Sequence, residues 1–407
     1  MTTTPQQSLV NFFNPELLAD PYPWYAELRE MGVAYLTPPA QPDVRVPILS
    51  RYADVQRVLR DPRFGRAGFS KGAQTALGDG PLARAFGQWM LFRDPPDHTR
   101  LRGLVNRAFT PRAVEALRTH IDAIVQGLLD KQRGKPSFDL VQGFAYPLPV
   151  LVICELLGVP PEDRRRFSAW SAAIGQGLDN LGLGDAEVVR RGNEAADGLT
   201  EYFRKLIHAR RGAAVDDILN GLIAAEEQGE RLSEDELLAT CVLIFFAGHE
   251  TTVNLIGNGT LALLRNPFEQ ERLRSMPELL PNAVEELLRF DSPVQRSGRT
   301  ILADVEVGGL MLHQGERVNV LIGSANRDPA QFTDPDRLDI SRPNAAQHLS
   351  FAAGIHYCVG APLARLEAQL ALGALLRFAP ELRLATDTPA WRATFVLRGL
   401  AALPVAL

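Results

Sequence analysis

The segment around Cys358 contains the residues that are best suited to unusual chemistry. It reads Phe-Ala-Ala-Gly-Ile-His-Tyr-Cys-Val-Gly over residues 351–360. Pro362 follows, and proline suits the first turn of a helix. We therefore expect Cys358 beside a helix N-terminus, where backbone N–H groups and the helix dipole favour a thiolate. Gly354 and Gly360 are expected to leave room for a bulky group near the backbone. A thiolate with no second cysteine nearby suits an axial ligand of haem iron.

A second candidate lies at the centre of a long apolar helical pattern. Residues 247–252 read Ala-Gly-His-Glu-Thr-Thr, and glycine, glutamate and threonine are poor choices for a buried helix centre. Such a local violation is expected where function is located. Small Ala247 and Gly248 are expected to let a ligand approach, and the Thr251 hydroxyl can bond the carbonyl one turn back. Beside Glu250 it forms a proton relay; without Cys358, a solvated Glu250 and a core Thr251 would be the simpler interpretation.

Together these strings resemble the cytochrome P450 family of haem-thiolate monooxygenases. Residues 351–360 are similar to the family's haem-ligand loop, and residues 247–252 to its oxygen-activation motif. Ala352 stands where the family most often has glycine and Val359 where leucine is common; both replacements are small and apolar. The resemblance implies that Cys358 binds the iron of haem b and that O2 is the co-substrate.

The resemblance also implies roles for residues elsewhere in the chain. Glu250 and Thr251 would deliver protons during oxygen activation. His98 and Arg102 lie one turn apart on one face of a predicted helix and suit a carboxylate pair, which would be the haem propionates. The implied haem contacts are His98, Arg102, Ala247, Gly248, Arg299, Phe351, His356, Cys358 and Gly360.

A pair of charged residues is expected to hold the core beside the haem. Glu286 and Arg289 stand three residues apart on a predicted helix and can form an ion pair. Alone, such pairs are common on helix surfaces and stabilise little. The resemblance implies a buried pair that is completed by a second arginine, which we assign to Arg337 in the string Pro-Asp-Arg-Leu. Leu338 replaces the usual phenylalanine there.

The segments that match the family's substrate contacts are mostly uncharged, which predicts an apolar and fairly large substrate. Arg296 is the exception, and it can meet an acid or a hydroxyl. The expected reaction inserts one atom of O2 into a C–H bond of a natural product, terpene, macrolide, steroid or fatty acid. The candidate pocket residues are Met90, Leu243, Ala247, Val294 and Phe395.

The electrons for such a reaction must come from elsewhere. The sequence contains no flavin domain, dinucleotide fingerprint or iron–sulfur cysteine set. We therefore expect a ferredoxin or flavodoxin with its NAD(P)H reductase as partners. Arg107 and Arg112 are either a basic docking patch or ordinary solvated arginines. Two other functions stay open: a non-catalytic haem-thiolate sensor, which needs no proton relay, and a peroxide-driven peroxygenase, whose relatives typically lack the Glu-Thr pair.

The elements that position these residues are mainly helical. Ser233 and Glu236 form a capping box before the apolar run, and the helical pattern continues to about Arg265, where Asn-Pro stops it. A helix of about 30 residues is about 45 Å long, so it must cross the middle of the molecule. The fold class is mainly α with small antiparallel β-sheets, the cytochrome P450 fold, in a single domain over residues 1–407.

Strand signals are short and lie towards both ends of the chain. Val44 to Leu49 predicts a strand, and Ala303 to Leu312 a hairpin around two glycines, with which Arg317 to Ile322 is expected to pair. Phe395 to Leu397 is also strand-like. The glycine-rich stretches 65–87 and 175–184 are either surface loops or mobile lids over a pocket.

Composition excludes several other classes of protein. Hydrophobic residues make up 46% and charged residues 22%, which excludes a disordered chain, and the net charge of −5 favours neither nucleic acid nor an anionic membrane. Three distant cysteines without a CxxC pair exclude a disulfide framework and a structural zinc site, so Cys154 and Cys241 are expected in the core. No signal or membrane anchor is visible, and a cytoplasmic location is expected.

Overall fold

The computed structural model describes residues 15–37, 43–66, 68–179, 181, 184–213, 217–227 and 232–407. Helices dominate it, as the sequence predicts. In chain order they are α1 (Pro15–Ala19), α2 (Tyr22–Met31), α3 (Tyr52–Arg60), α4 (Gly68–Leu77), α5 (Pro81–Gln88), α6 (Asp97–Ala108), α7 (Pro111–Ala116), α8 (Arg118–Asp130), α9 (Pro147–Leu156), α10 (Arg164–Asp179), α11 (Ala186–Arg210), α12 (Ile218–Glu227), α13 (Glu234–Arg265), α14 (Pro267–Ser275), α15 (Leu280–Phe290), α16 (Ile322–Ala325) and α17 (Ala361–Phe378).

The long helix α13 confirms the predicted central element. The Ser233 hydroxyl accepts the N–H of Glu236 at 3.2 Å, and the Glu236 carboxylate accepts the N–H of Ser233 at 3.0 Å. The helix ends at Arg265, before the asparagine and proline. By length and composition it is the single helix in the described ranges that is apolar enough to span a membrane, but 83% of its most apolar window is buried. It is therefore the core helix that the other helices surround.

In the ranges that the structure describes, the strands form four small sheets. They are β1 (Ala34–Leu36), β2 (Val46–Leu49), β3 (Phe64–Gly65), β4 (Ser137–Asp139), β5 (Arg296–Ile301), β6 (Val305–Val307), β7 (Leu310–Leu312), β8 (Arg317–Leu321), β9 (Arg383–Leu384), β10 (Ala390–Trp391), β11 (Leu400–Ala402) and β12 (Pro404–Ala406). The largest sheet has the order β1-β2-β8-β5-β3, and the others are β4-β12-β9, β6-β7 and β10-β11.

The structure confirms the predicted hairpin and corrects both the pairing of β8 and the strand expected at residues 395–397. The hairpin β6–β7 forms with Gly308 and Gly309 at φ 59° and 78°, as a two-residue turn requires. β8, however, pairs with β5 and β2 instead of with this hairpin, and its pairing with β2 is parallel. The expected strand at Phe395–Leu397 is reduced to a single bridge between Val294 and Leu397. Neighbours distant in sequence decide these pairings, so local alternation does not reveal them.

The glycine-rich stretches are mostly helical. Residues 68–77 and 81–88 form α4 and α5, and the second stretch begins inside α10. Residues 67, 180, 182 and 183 of these stretches lie outside the described residues. Cys154 and Cys241 are fully buried in the main hydrophobic core, as predicted. The assignment of the chain to one domain stays a prediction.

Candidate active site

One cavity of about 460 Å³ brings most of the predicted site residues together. It lies between α13, β5, α6 and the loop that precedes α17. The predicted site residues that line it are Met90, His98, Arg102, Leu243, Ala247, Gly248, Glu250, Thr251, Val294, Arg299, Phe351, His356, Cys358, Gly360 and Phe395. The remaining predicted residues, Glu286, Arg289 and Arg337, do not line the cavity.

The loop that carries Cys358 is held by its backbone. The Cys358 N–H donates to the carbonyl of Phe351 at 2.9 Å. Ala352 has φ 58°, a left-handed conformation that costs a residue with a side chain about 1–2 kcal/mol and explains why glycine suits this position. Gly354 also has a positive φ, and a Cβ there would lie 2.6 Å from the carbonyl oxygen of Leu59. Gly354 therefore makes room for the end of α3, and not for a bulky ligand as the sequence suggested.

The Cys358 thiol opens into the cavity beside the N-terminus of α17. Burial raises its pKa, and the N–H groups of Gly360 and Ala361 and the charges of Arg102 and Arg365 lower it by less. The helix N-terminus therefore does not by itself produce the thiolate that the sequence predicted. A cation bonded to the sulfur is needed, because a coordinating thiol loses its proton to the metal.

Four predicted cationic side chains cluster at one side of the cavity. The rings of His98 and His356 have their centroids 4.3 Å apart. Arg299 is 4% exposed and donates to the Ser297 hydroxyl at 2.7 Å and the Gly298 carbonyl at 2.8 Å. Arg102 donates to the side chain of Asn106. The acceptors of these three hydrogen bonds are an amide, a hydroxyl and a main-chain carbonyl, and not carboxylates.

One carboxylate, Asp94, compensates part of the charge of this cluster, but burial outweighs it. Burial, followed by the nearby charges of Arg66, His98, Arg299 and Arg102, lowers the pKa of His356 to about 2. Its Nε2 atom is buried without a hydrogen-bond partner in the part of the chain that the structure describes. Arg66, which the sequence analysis missed, belongs to the same cluster, and burial lowers its pKa to about 10. These groups fit a ligand with carboxylates, as the haem propionates would be.

The centre of α13 faces the same cavity. The Thr251 hydroxyl donates to the carbonyl of Ala247 at 3.2 Å, which is the bond one turn back that the sequence predicts. A Cβ on Gly248 would lie 2.7 Å from Cδ1 of Ile153 on α9. Gly248 lines the cavity, as the sequence analysis expected, and its lack of a side chain also lets α9 pack closely against the helix. His249 is buried, and its Nδ1 atom lies 2.7 Å from the Phe245 carbonyl, which fits the expected structural role.

Glu250 is held by partners that the sequence did not reveal. Its Oε2 atom accepts from the Arg392 guanidinium at 2.6 Å, and its Oε1 atom accepts from the Ser171 hydroxyl at 3.3 Å. Burial alone would raise the pKa of Glu250, but His249 and Arg392 lower it to about 2. Glu250 is therefore ionised at neutral pH. No local signal connects it to Arg392, which lies 142 residues further along the chain.

The charged network beside the core corrects one prediction. Glu286 and Arg289 form the expected pair, both fully buried, with hydrogen bonds of 2.7 and 2.8 Å. The third member is Arg342, whose Nε atom donates to both Glu286 oxygens at 3.1 Å. The predicted Arg337 is wrong, because its side chain is 68% exposed and pairs with Asp339. Its backbone carbonyl accepts hydrogen bonds from Arg289 and Arg342, so the motif supplies main chain to the network.

Cys358 is exposed to the cavity and shares it with a cluster of arginine and histidine side chains, an arrangement that defines a haem-thiolate class of site. Comparison with known proteins agrees. Residues 44–389 match the family model described as Cytochrome P450. The chain is 43% identical to Cytochrome P450 107B1 of Saccharopolyspora erythraea, over 96% of this chain and 98% of that protein. It is 42% identical to the Vitamin D(3) 25-hydroxylase of Pseudonocardia autotrophica, over 100% and 98%.

A solved structure supports the fold as well. The crystal structure of P450BioI in complex with a hexadec-9Z-enoic acid ligated acyl carrier protein has a TM-score of 0.88 and 38% identity, covering 96% of this chain and 99% of that one. The chain belongs to the cytochrome P450 family and is an oxidoreductase of the monooxygenase class. Membership implies a haem-thiolate cofactor and the use of O2, and the unpartnered His356 and the cationic cluster fit such a group.

Proposed function

We propose that this protein inserts one oxygen atom of O2 into a C–H bond of a large, mostly apolar small molecule. The observation that carries the proposal is the placement of Cys358, the cationic cluster and the Glu250–Thr251 pair around one cavity. Haem b bound there would supply the oxygen-activating chemistry, with Cys358 as its iron ligand and with Arg102, Arg299 and His98 as hydrogen-bond donors to its propionates.

The side chains on α13 would control protons in this site. The Thr251 hydroxyl donates its own proton to the Ala247 carbonyl, which leaves its oxygen free to accept from a water or a ligand. Glu250 holds an ionised carboxylate at the cavity wall, where it can accept hydrogen bonds from the waters that carry protons towards Thr251. A haem-thiolate sensor would need neither this carboxylate nor this hydroxyl. The position of Glu250 and Thr251 therefore favours a catalytic protein and not one that only binds a ligand.

The walls support an apolar substrate. Met90, Leu243, Val294 and Phe395 line the cavity, as the resemblance implied. Relatives whose names point to vitamin D(3) and to a fatty acyl chain on a carrier protein support a natural-product or fatty-acyl type of substrate. We propose hydroxylation as the outcome, in a cytoplasmic enzyme.

Electrons would come from a separate ferredoxin or flavodoxin with its NAD(P)H reductase. Ile355 and Tyr357, beside the cysteine, are exposed by 53% and 40%, and Arg112 is exposed on α7. The side chain of Arg107 lies outside the described residues. Arg112→Glu should slow electron transfer to the haem in stopped-flow reduction, and an unchanged rate would leave Arg112 an ordinary solvated arginine.

The first test is the absorption spectrum of the protein reduced with dithionite and exposed to carbon monoxide. A strongly red-shifted Soret band is expected, lost in Cys358→Ser and kept in the control Cys154→Ala, whose sulfur is buried in the core. A protein that stays colourless after haem supplementation would overturn the proposal. Turnover with isotopically labelled O2 should place one labelled oxygen in the product; product formed only with peroxide would indicate a peroxygenase, and none at all a sensor.

A further inference from the structure

The mostly apolar cavity is also lined by an acidic and a basic side chain, Asp179 and Arg296, to which the mechanism assigns no role. Asp179 is the last residue of α10, and Arg296 is the first residue of β5. Both line the cavity, as does Phe395. They come from elements separated by more than a hundred residues, and the fold brings their charges close enough to interact.

Asp179 has one satisfied and one free oxygen. Its Oδ1 atom accepts the backbone N–H groups of Phe395 at 3.1 Å and Val396 at 2.7 Å, which fixes the orientation of the carboxyl group. Its Oδ2 atom is buried without a hydrogen-bond partner among the described residues, although the residue is only 6% exposed. Burial raises the pKa of Asp179 to about 6, and Arg296 offsets part of this effect. A buried acceptor without a donor is costly unless a ligand supplies one.

Arg296 is unpaired in the same way. Its Nε atom is buried with no acceptor in the described part of the chain, and its guanidinium lies 5.3 Å from the centroid of the Phe395 ring. Burial lowers its pKa, while Asp179 raises it by less. The described residues contain no ion pair within 4.0 Å between Arg296 and Asp179, whereas buried Arg398 donates directly to Asp291 at 2.7 Å. A gap is therefore left between a free donor and a free acceptor.

We propose that Asp179 and Arg296 form a subsite for a hydroxyl group of the substrate, which donates to Oδ2 of Asp179 and accepts from the guanidinium of Arg296. This inference rests on the proposed function and names a substrate class for it: a mostly apolar molecule that already carries a hydroxyl group. The enzyme then oxidises a carbon elsewhere on that molecule.

The charges of the two residues favour a neutral group over an ion. A carboxylate would satisfy Arg296 but would be repelled by ionised Asp179, and an ammonium would meet the opposite conflict. An ether accepts a hydrogen bond but leaves Oδ2 without a donor. A hydroxyl is both donor and acceptor, so it satisfies both residues without adding net charge.

Chain-matched ligands test this subsite. Dodecan-1-ol, 1-methoxydodecane, dodecanoate and dodecylammonium are titrated into the haem-loaded enzyme, with calorimetry and the haem spin-state shift as independent readouts. The titrations are run at about pH 8, where Asp179 with its pKa of about 6 is ionised. Dodecan-1-ol should bind about tenfold more tightly than the ether, the size expected for one hydrogen bond to a charged group.

Two variants separate the contributions of the pair. Asp179→Asn should weaken dodecan-1-ol about tenfold and strengthen dodecanoate, because it removes both the acceptor and the repelling charge. Arg296→Gln should weaken the binding of both dodecan-1-ol and dodecanoate. If the Arg296→Gln variant loses haem, Arg296→Lys is tested in its place. The charge-matched controls are Glu306→Gln and Arg337→Gln, whose side chains are exposed outside the cavity.

Equal binding of alcohol and ether, or tighter binding of dodecanoate than of dodecan-1-ol by the wild type, would overturn the subsite. The carbon monoxide spectrum is recorded for each variant. A normal spectrum with no alcohol preference rejects the subsite and leaves the proposed monooxygenase intact, whereas loss of the spectrum in the wild type rejects the proposed function itself.

Discussion

Arg342 and Arg337 are the two candidates for the third member of the buried network. Replacing each by methionine should change the free energy of unfolding by very different amounts. Arg342 is 5% exposed; it donates to both oxygens of Glu286 and to the carbonyls of Thr333 at 2.5 Å and Arg337 at 3.0 Å. The Arg337 side chain is 68% exposed, with one contact of 3.4 Å to Asp339. Both substitutions remove one positive charge and keep a long side chain, so they form a matched pair.

The expected cost follows from what each substitution leaves behind. Removing one partner of a buried ion pair costs about 3–5 kcal/mol because the other charge stays buried. Glu286 keeps its two hydrogen bonds from Arg289 and the N–H of Asp339, so the lower value, about 3 kcal/mol, applies to Arg342→Met. Arg337→Met should change the free energy of unfolding by less than about 0.5 kcal/mol.

Thermal and urea unfolding, followed by circular dichroism and haem absorbance, measure this difference. For a chain of 407 residues, about 3 kcal/mol corresponds to a melting temperature lower by roughly 4 °C and to roughly a hundredfold in the unfolding equilibrium. Conserved secondary structure in both variants at low temperature is the control. If Arg337→Met destabilises as much as Arg342→Met, the exposed arginine has a role that this network does not explain, and the reasoning from burial is refuted.

Three other substitutions test the site. Arg392→Gln removes a partner that helps lower the pKa of Glu250 from 4.5 to about 2. The wild type should therefore be more stable than the variant above about pH 4.5 and lose this advantage as the pH falls towards 2. A stability difference in urea unfolding that does not change with pH would contradict this. Gly248→Ala should cost about 1–3 kcal/mol of stability, restored in part by Ile153→Val, because the added methyl would lie 2.7 Å from Cδ1 of Ile153. Arg299→Met should stabilise the haem-free protein by about 1 kcal/mol and speed haem loss to apomyoglobin; slower haem loss would count against a propionate contact.

Features that depend on neighbouring residues in the chain could be predicted from the sequence. The capping box at Ser233, the end of α13 at Arg265 and the placement of Cys358 before α17 each follow from a few adjacent residues. The hairpin at Gly308 and Gly309 is of the same kind. The Cys358 loop was also specific enough to indicate the family, and with it the residues that line the cavity.

Features that depend on contacts between distant segments could not be predicted in the same way. Arg342 reaches Glu286 across 56 residues, and Arg392 reaches Glu250 across 142. Arg337 was chosen because it fits a local string, yet a string does not tell which side chain the fold turns inward. For the same reason the sequence indicated the cavity beside Gly248 but not the neighbouring helix that also packs there.

The buried arginines show how the structure separates structural charges from ligand-binding ones. Arg289, Arg342 and Arg398 donate to buried carboxylates, so the protein itself compensates their charge. Arg296 and Arg299 line the cavity and, within the described residues, donate no hydrogen bond to a carboxylate. Asp179 compensates part of the charge of Arg296, and Asp94 part of that of Arg299, but burial outweighs both effects, so each arginine fits a further partner from a ligand. Arg299 lies in the cluster that fits haem carboxylates, so it would bind the cofactor. Arg296, three residues earlier on the same strand, lies beside the free carboxyl oxygen of Asp179 and would bind the substrate.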